Sequence, residues 1–324
     1  MKIAAVTRVR NEADIIEAFV RHHAWVDRII VTCHICVDNT SEIVRLLASE
    51  GLPVELRVDE QSFHRQAAVV NAIGRELAEQ DGVDWILALD ADEFVVPRRG
   101  DDPRAAFDGL PLNRPCRLPW KTYVPTPDDD SGEANALRRI RHRRAREPAQ
   151  FWKVVFLPGS VVRGGDFALT HGNHELVETA TGREVTVDSH PSISLAHFPV
   201  RSSAQLQTKV LAGWLTRLAD AERKPPQSTQ WSALFAECSR GEISGERLQE
   251  IALAYATVGG RRNDARLVLD PVEAPFEIRY RIESAEPLHV LADAAARLVA
   301  QHAPATPTPT IQRPAERRRL RWIR

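Results

Sequence analysis

Methionine and tyrosine are almost missing from these 324 residues, which hold one Met, three Tyr and four Cys, with aromatic residues at 6%. Four cysteines in a chain of this length exclude a disulfide framework standing in for a hydrophobic core. Cys33-His34-Ile35-Cys36 has C-x-x-C spacing, but it lies inside an apolar, strand-like run. No second pair completes a zinc site, so the thiols read as structural. Charge of one sign is also lacking. Lys and Arg total 43 against 44 Asp and Glu, a net of -1, which gives no global pull toward nucleic acid. No apolar run approaches the ~20 residues of a membrane span, and the first residues read as a strand instead of a leader, so the expectation is a cytoplasmic protein. There is no internal repeat. With 43% hydrophobic residues the chain can still bury a sizeable core.

What is present is alternation. An apolar run over 3–9 is followed by Ile15, Phe19, Val20 and His23 at helical spacing, with Asn11 as a helix cap and Glu12 and Asp14 in the first turn. A second strand is expected over 28–37 and a turn and cap at Asp38-Asn39-Thr40-Ser41. Ile43, Val44 and Leu47 then mark a helix that stops at Gly51. A short strand over 54–58 precedes a helix marked by Val69, Val70, Ile73 and Leu77. Right-handed crossovers turn this βαβαβαβ order into an α/β fold, a mostly parallel sheet flanked by helices.

The fourth strand carries the chemistry. Trp85-Ile86-Leu87-Ala88-Leu89-Asp90-Ala91-Asp92-Glu93-Phe94 is an apolar run ending in two carboxylates spaced by one residue. In extended backbone both would project to one side, at a strand's C-terminal end where α/β ligand sites gather. Oxygen donors of that kind suit Mg²⁺ or Mn²⁺, with substrate phosphates and water completing the shell.

Four segments together resemble glycosyltransferase family 2, of the GT-A type. They are Val9-Arg10-Asn11-Glu12-Ala13-Asp14-Ile15-Ile16, Val37-Asp38-Asn39-Thr40-Ser41, Leu89-Asp90-Ala91-Asp92-Glu93-Phe94 and His197-Phe198-Pro199-Val200-Arg201-Ser202. The resemblance implies a Rossmann-like sheet, a nucleoside-diphosphate sugar donor, a metal at the twin carboxylates and inversion at the anomeric carbon. It implies Asp92 as direct metal ligand, Asp90 on the ribose or on the metal through water, and Asp38 on the base. Thr7, Arg10 and Arg65 are donor-side candidates, as are Gln66 and Asn71. His197 is a candidate for metal or diphosphate, and Arg201 for clamping phosphate oxygens. Trp120 offers a flat apolar face to a sugar ring or acceptor. The donor half is expected over 1–115, an acceptor half over 116–225, a helical region over 226–302 and a disordered basic tail over 303–324. The middle region should supply helices over 203–221, 229–258 and 288–299.

Transfer to a hydroxyl requires a base. Asp166, Glu175 and Glu178 are candidates, with Glu175 placed first because it sits in the cluster of histidines from 171 to 197. Gly172-Asn173-His174-Glu175 also resembles a metal-ligand motif of calcineurin-like metallophosphoesterases, although the Asp-x-His and Gly-His-x-His segments of that family do not occur in the required places. A non-catalytic nucleotide-sugar or carbohydrate-binding relative is the other alternative. The acceptor stays open between a saccharide and a lipid-linked sugar. Six arginines between 138 and 146 read as a solvated face or as a surface for an anionic acceptor. The end, Arg317-Arg318-Arg319-Leu320-Arg321-Trp322-Ile323-Arg324, suits weak peripheral contact with the inner face of a membrane.

Overall fold

The computed structural model describes residues 1–60, 66–98, 101–108, 110, 114–147, 151–156, 162, 164–219, 229–241, 243–255 and 266–302. Arg65 and the basic tail from 303 lie outside the described residues. Strand β1 (Ile3–Val9) is buried on both faces, as expected of a parallel strand covered from both sides. Helix α1 starts later than expected, at Ile16–His22. Asn11 does not cap it. Its backbone is left-handed (φ 55), and its side-chain oxygen instead accepts the Val37 N–H at 2.8 Å, tying the ends of the first two strands.

Strand β2 (Arg28–His34) stops three residues short of the expected end because Ile35 adopts φ 50, which ends the extended backbone. Helix α2 (Thr40–Ser49) follows, and Gly51 at φ 87 supplies the left-handed residue that turns the chain into β3 (Val54–Asp59). Next come α3 (Gln66–Glu76), which runs into one π-helical turn, and β4 (Trp85–Ala88). Strand β5 (Glu93–Pro97) is not anticipated by the sequence pattern, because only a short turn separates it from β4.

The later half adds β6 (Cys116–Thr122), α4 (Ala136–Arg139), β7 (His142–Arg144), β8 (Trp152–Phe156), β9 (Phe167–Leu169) and β10 (Leu176–Glu178). Then follow β11 (Asp188–Ser189), β12 (Ile193–His197), α5 (Ser203–Ala219), α6 (Thr229–Cys238), α7 (Gly245–Ala254), β13 (Leu267–Leu269) and α8 (Pro287–His302). The main sheet runs β3-β2-β1-β4-β8-β6-β12-β5, with β11 beside β6. Five of its eight pairings are parallel: β1 with β2 and β4, β2 with β3, and β6 with β11 and β12. The result is an α/β fold whose sheet continues across residue 115.

One apolar cluster fills the sheet around Trp85, Phe19 and Phe94; a second joins Val124 and Val200 to Leu206, Val210 and Leu211 of α5 and Ile251 of α7. Leu218, expected on the apolar stripe of α5, is 51% exposed. The arginines of 138–146 are neither a free face nor an anion-binding surface in the main. Arg138 and Arg143 pair with Glu277 and Asp270 in the segment that packs beside them, and Arg144 is buried. Among the described residues no helix is long and apolar enough to cross a membrane.

Candidate functional site

The chain turns where the apolar run ends. Leu89 N–H still donates to the Val6 carbonyl, but Glu93 N–H donates to the Asp90 carbonyl at 3.0 Å, closing a tight turn between β4 and β5. This corrects the expectation of two carboxylates leaving one extended strand on the same side. The turn aims them at different partners. Asp90 accepts from Gln66 Nε2 at 2.6 Å and from Lys153 Nζ at 2.8 Å. Asp92 is buried, and its Oδ2 accepts from Lys209 Nζ at 2.8 Å with Arg201 at 3.8 Å. Its Oδ1 lies 3.8 Å from His197 Nε2.

Four elements supply these groups. Strand β12 carries His197 in register with Glu93 of β5 and Thr122 of β6, so sheet pairing fixes the imidazole over the turn. Strand β8 carries Lys153, α5 carries Lys209, and Arg201 lies between β12 and α5. Glu93 is fully buried beneath them. It accepts from Trp120 Nε1 at 2.7 Å and from Asp90 N–H at 2.9 Å, and it lies 3.3 Å from Lys153.

The electrostatics separate the roles. Burial opposes ionisation of Asp92, but the cations Lys209 and Arg201 outweigh it and hold the carboxyl well below the usual carboxylate range. Burial pushes His197 down to about 3 despite the pull of Asp92, so the imidazole is neutral. Its Nδ1 is buried with no hydrogen-bond partner among the described residues. Burial pushes Glu93 up to about 8 and Glu12 up to about 7, against Lys153 and Arg201 respectively.

The structure brings Asp90, Asp92, His197 and Arg201 together, and Trp120 with them. Trp120 is not an open wall: its ring is buried and stacks on His197 at 4.1 Å between centroids. Arg201 is fully buried, with its guanidinium on Asp14, Glu12 and the Phe198 carbonyl, so it faces no open space. Asp38 is likewise engaged within the protein, accepting from Ala13 N–H, Thr40 N–H and the Thr40 hydroxyl. Thr7 is buried inside β1, its hydroxyl without a partner among the described residues, and Arg10 follows at the strand's end. The Asn71 amide is spent on the backbone of Leu169.

Asp166 and Glu175 are both exposed, at opposite ends of the β9–β10 hairpin. Glu175 lies at the end whose turn carries Gly172, and the Gly172 carbonyl accepts from Lys153 at 2.8 Å. The Gly-Asn-His-Glu segment does not assemble a phosphoesterase site. His174 Nδ1 meets the Trp152 carbonyl at 2.8 Å and its ring packs on Trp120. Among the described residues no three His, Cys, Asp or Glu side chains converge as a metal cage.

Lys153, Lys209, Glu93 and Tyr255 escape the sequence reading. Lys153 interrupts the apolar run Trp152-Lys153-Val154-Val155-Phe156, and Lys209 sits between Leu206 and Val210 on a helix, so each is a lone charge in an apolar pattern. That is a readable signal of a buried charge partner. Tyr255 gives none. Its ring stands edge-on to His197 at 5.5 Å because Arg144 holds the carbonyls of Ala252, Leu253 and Tyr255.

No family model and no curated protein matches the sequence. Solved structures similar to it include a mannosyltransferase from Pyrobaculum calidifontis in complex with GDP-Man and Mn²⁺, at TM-score 0.36 and 15% identity over 78% of this chain and 72% of that one. A mannose-1-phosphate geranyltransferase from Thermus thermophilus is similar at TM-score 0.29 and 14% identity over 49% of this chain, which spans 58% of that structure. A putative glucose-1-phosphate thymidylyltransferase from Bacillus anthracis, in complex with a sucrose, gives TM-score 0.28 and 10% identity over 75% of this chain and 85% of that one. Likeness at this level says nothing of the chemistry.

Proposed function

We propose that the chain is a metal-dependent, inverting glycosyltransferase that moves a sugar from a nucleoside-diphosphate donor to a hydroxyl of a saccharide or lipid-linked acceptor. One observation carries this reading: an Asp92 carboxylate oxygen faces a His197 ring nitrogen across 3.8 Å, beside a lysine on the other carboxylate oxygen. A carboxylate and a neutral imidazole are the donor types that a borderline divalent cation such as Mn²⁺ accepts. Mg²⁺, a harder cation, would rest mainly on Asp92. Two protein donors suffice where substrate phosphates and water complete the shell. Asp92 and His197 would hold the cation, which supplies Lewis-acid neutralisation of the departing diphosphate.

The chain's own residues do the rest. Lys153 and Gln66 fix the Asp90 carboxylate, leaving it turned toward the donor side of the turn. Glu93, protonated or hydrogen-bonded at all its oxygens, anchors the turn from below. Glu175 is the better-placed base, since its end of the hairpin adjoins Lys153 and Asp90, whereas Asp166 lies at the far end.

The test is nucleotide-sugar turnover with Mn²⁺ or Mg²⁺ over a panel of donors and acceptors. Asp92→Asn should lower release of nucleoside diphosphate on the order of 100-fold. Glu175→Gln should abolish transfer while leaving donor affinity within about threefold. Turnover by Asp92→Asn at the parent rate would remove the metal assignment, and donor binding without turnover by the parent would support the non-catalytic alternative.

A further inference from the structure

Three cations surround the carboxylate turn, and they differ in what they have left to offer. Lys153 is 0% exposed, and its ammonium has three acceptors within reach: Asp90, Glu93 and the Gly172 carbonyl. An ammonium has three N–H donors, so none remains. Arg201 is also 0% exposed, and all three of its guanidinium nitrogens are engaged. Lys209 is different. Its Nζ bonds one acceptor among the described residues, Asp92 Oδ2, and its side chain is 25% exposed. Two donors of the ammonium are therefore left without an acceptor among the described residues, beside the carboxylate that the reading above assigns to the cation.

Resting on that reading, we propose that Lys209 is a diphosphate-binding residue: its ammonium bridges Asp92 Oδ2 and a phosphate oxygen of the nucleoside diphosphate. This role falls to Lys209 and not to Arg201, whose side chain is fully buried with four of its five N–H donors on Asp14, Glu12 and the Phe198 carbonyl. Asp92 is then shared, with Oδ2 orienting Lys209 and Oδ1 left toward His197. The lysine keeps the turn neutralised when the site is empty of substrate. When a diphosphate arrives, its charge is met by a cation already held in place, with no donor to be recruited from water.

The experiment is calorimetric titration of the full chain with UDP, GDP, CDP and dTDP, with their monophosphates and with inorganic pyrophosphate, each with and without Mn²⁺. A charge-assisted hydrogen bond to phosphate predicts that Lys209→Gln weakens the diphosphate that binds the parent by about tenfold to 100-fold. The matching monophosphate should change by less than about threefold, and Lys209→Arg should restore diphosphate affinity to within about threefold. Binding of Mn²⁺ alone should be unchanged or tighter in Lys209→Gln, because a competing cation has left Asp92; a merely structural loss would weaken it. Should the glutamine disturb folding, Lys209→Met provides the same comparison. Diphosphate affinity within about threefold of the parent in Lys209→Gln, or equal losses for mono- and diphosphate, overturns the proposal and leaves the glycosyltransferase reading intact. A parent that binds no diphosphate under any condition overturns both.

Discussion

Lys153 shows how a buried charge can be stable at one residue and costly to remove. Its ammonium lies in an apolar strand, where an isolated ion would be strongly disfavoured, yet Asp90, Glu93 and a carbonyl surround it. Burial alone would lower its pKa, but Asp90 and Glu93 outweigh burial and raise it, so the lysine stays charged. Lys153→Met removes the cation, leaving the Asp90 carboxylate without its counter-charge and the Gly172 carbonyl and Glu93 without a buried donor. The expected cost is about 3–5 kcal/mol, read from the urea midpoint. Glu93→Gln added to Lys153→Met should recover part of that loss, since the pair is coupled. A Lys153→Met midpoint equal to the parent's would show that the carboxylates do not depend on it.

At the scale of elements, Arg144 has the same position relative to α7 that Lys153 has to the turn. Helix α7 ends at Ala254 with unsatisfied carbonyls, and the buried Arg144 guanidinium takes three of them at 2.7–2.9 Å, those of Ala252, Leu253 and Tyr255. Glu147 pairs with Arg144 and also accepts from Thr122, the residue in register with His197. The clamp thus links the helix end, and Tyr255 with it, to the strand edge that holds the imidazole. Arg144→Leu should lower amide protection through Gly245–Ala254 while leaving β1 protected, measured by hydrogen exchange. Unchanged protection in α7 would mean the helix end is held by its apolar side alone. This link was invisible in the sequence, where Arg144 is one arginine among six. Periodicity did locate β1, β3, α2 and α5, because each shows its apolar residues at the spacing of its own element. It could not separate β4 from β5: Trp85 to Asp92 reads as one extended run, and only the turn at Asp90 and the pairing of Glu93–Pro97 with β12 reveal a second strand. Asp90 and Asp92 were legible as candidates because strand ends carry ligand sites, and His197 through the family resemblance. Lys209 and Lys153 showed only as lone charges in apolar patterns, since what they bind comes from other elements.

Across the whole molecule, the charged turn lies at the seam between the sheet's apolar cluster and the smaller one formed by α5 and α7, which explains how so many ionisable groups are withdrawn from water. The same burial makes the fold sensitive to acid through histidines remote from the turn. His23 is 0% exposed; its Nδ1 donates to the Phe19 carbonyl and its Nε2 accepts the Val95 N–H. His190 Nε2 donates to the Ala106 carbonyl, and its Nδ1 accepts from Ser192 and Ile193 N–H. Each ring uses one nitrogen as acceptor for a backbone N–H, so a second ring proton has nowhere to go. Burial lowers both pKa values, well below the ordinary range for His23, with the neighbouring His22 adding to the effect there. The unfolded chain binds a proton near pH 6.5 that the native state refuses, so stability is full above that pH and is lost as pH falls through the window below it. Each histidine should contribute about 1.4 kcal/mol per pH unit below ~6.5 until its folded pKa is reached. Glu93 and Glu12, pushed up to about 8 and about 7, take up protons on folding and oppose this trend, so the histidines' share is the difference in pH dependence between the parent and a chain without the two rings. Replacing both rings, as His23→Gln with His190→Asn, should lower the urea midpoint at pH 7 but remove that share of its dependence on pH. A midpoint whose dependence on pH between 7 and 5 is the same in the parent and in that double variant would show that the folded chain accommodates both protons, and that the backbone N–H groups can be released without cost.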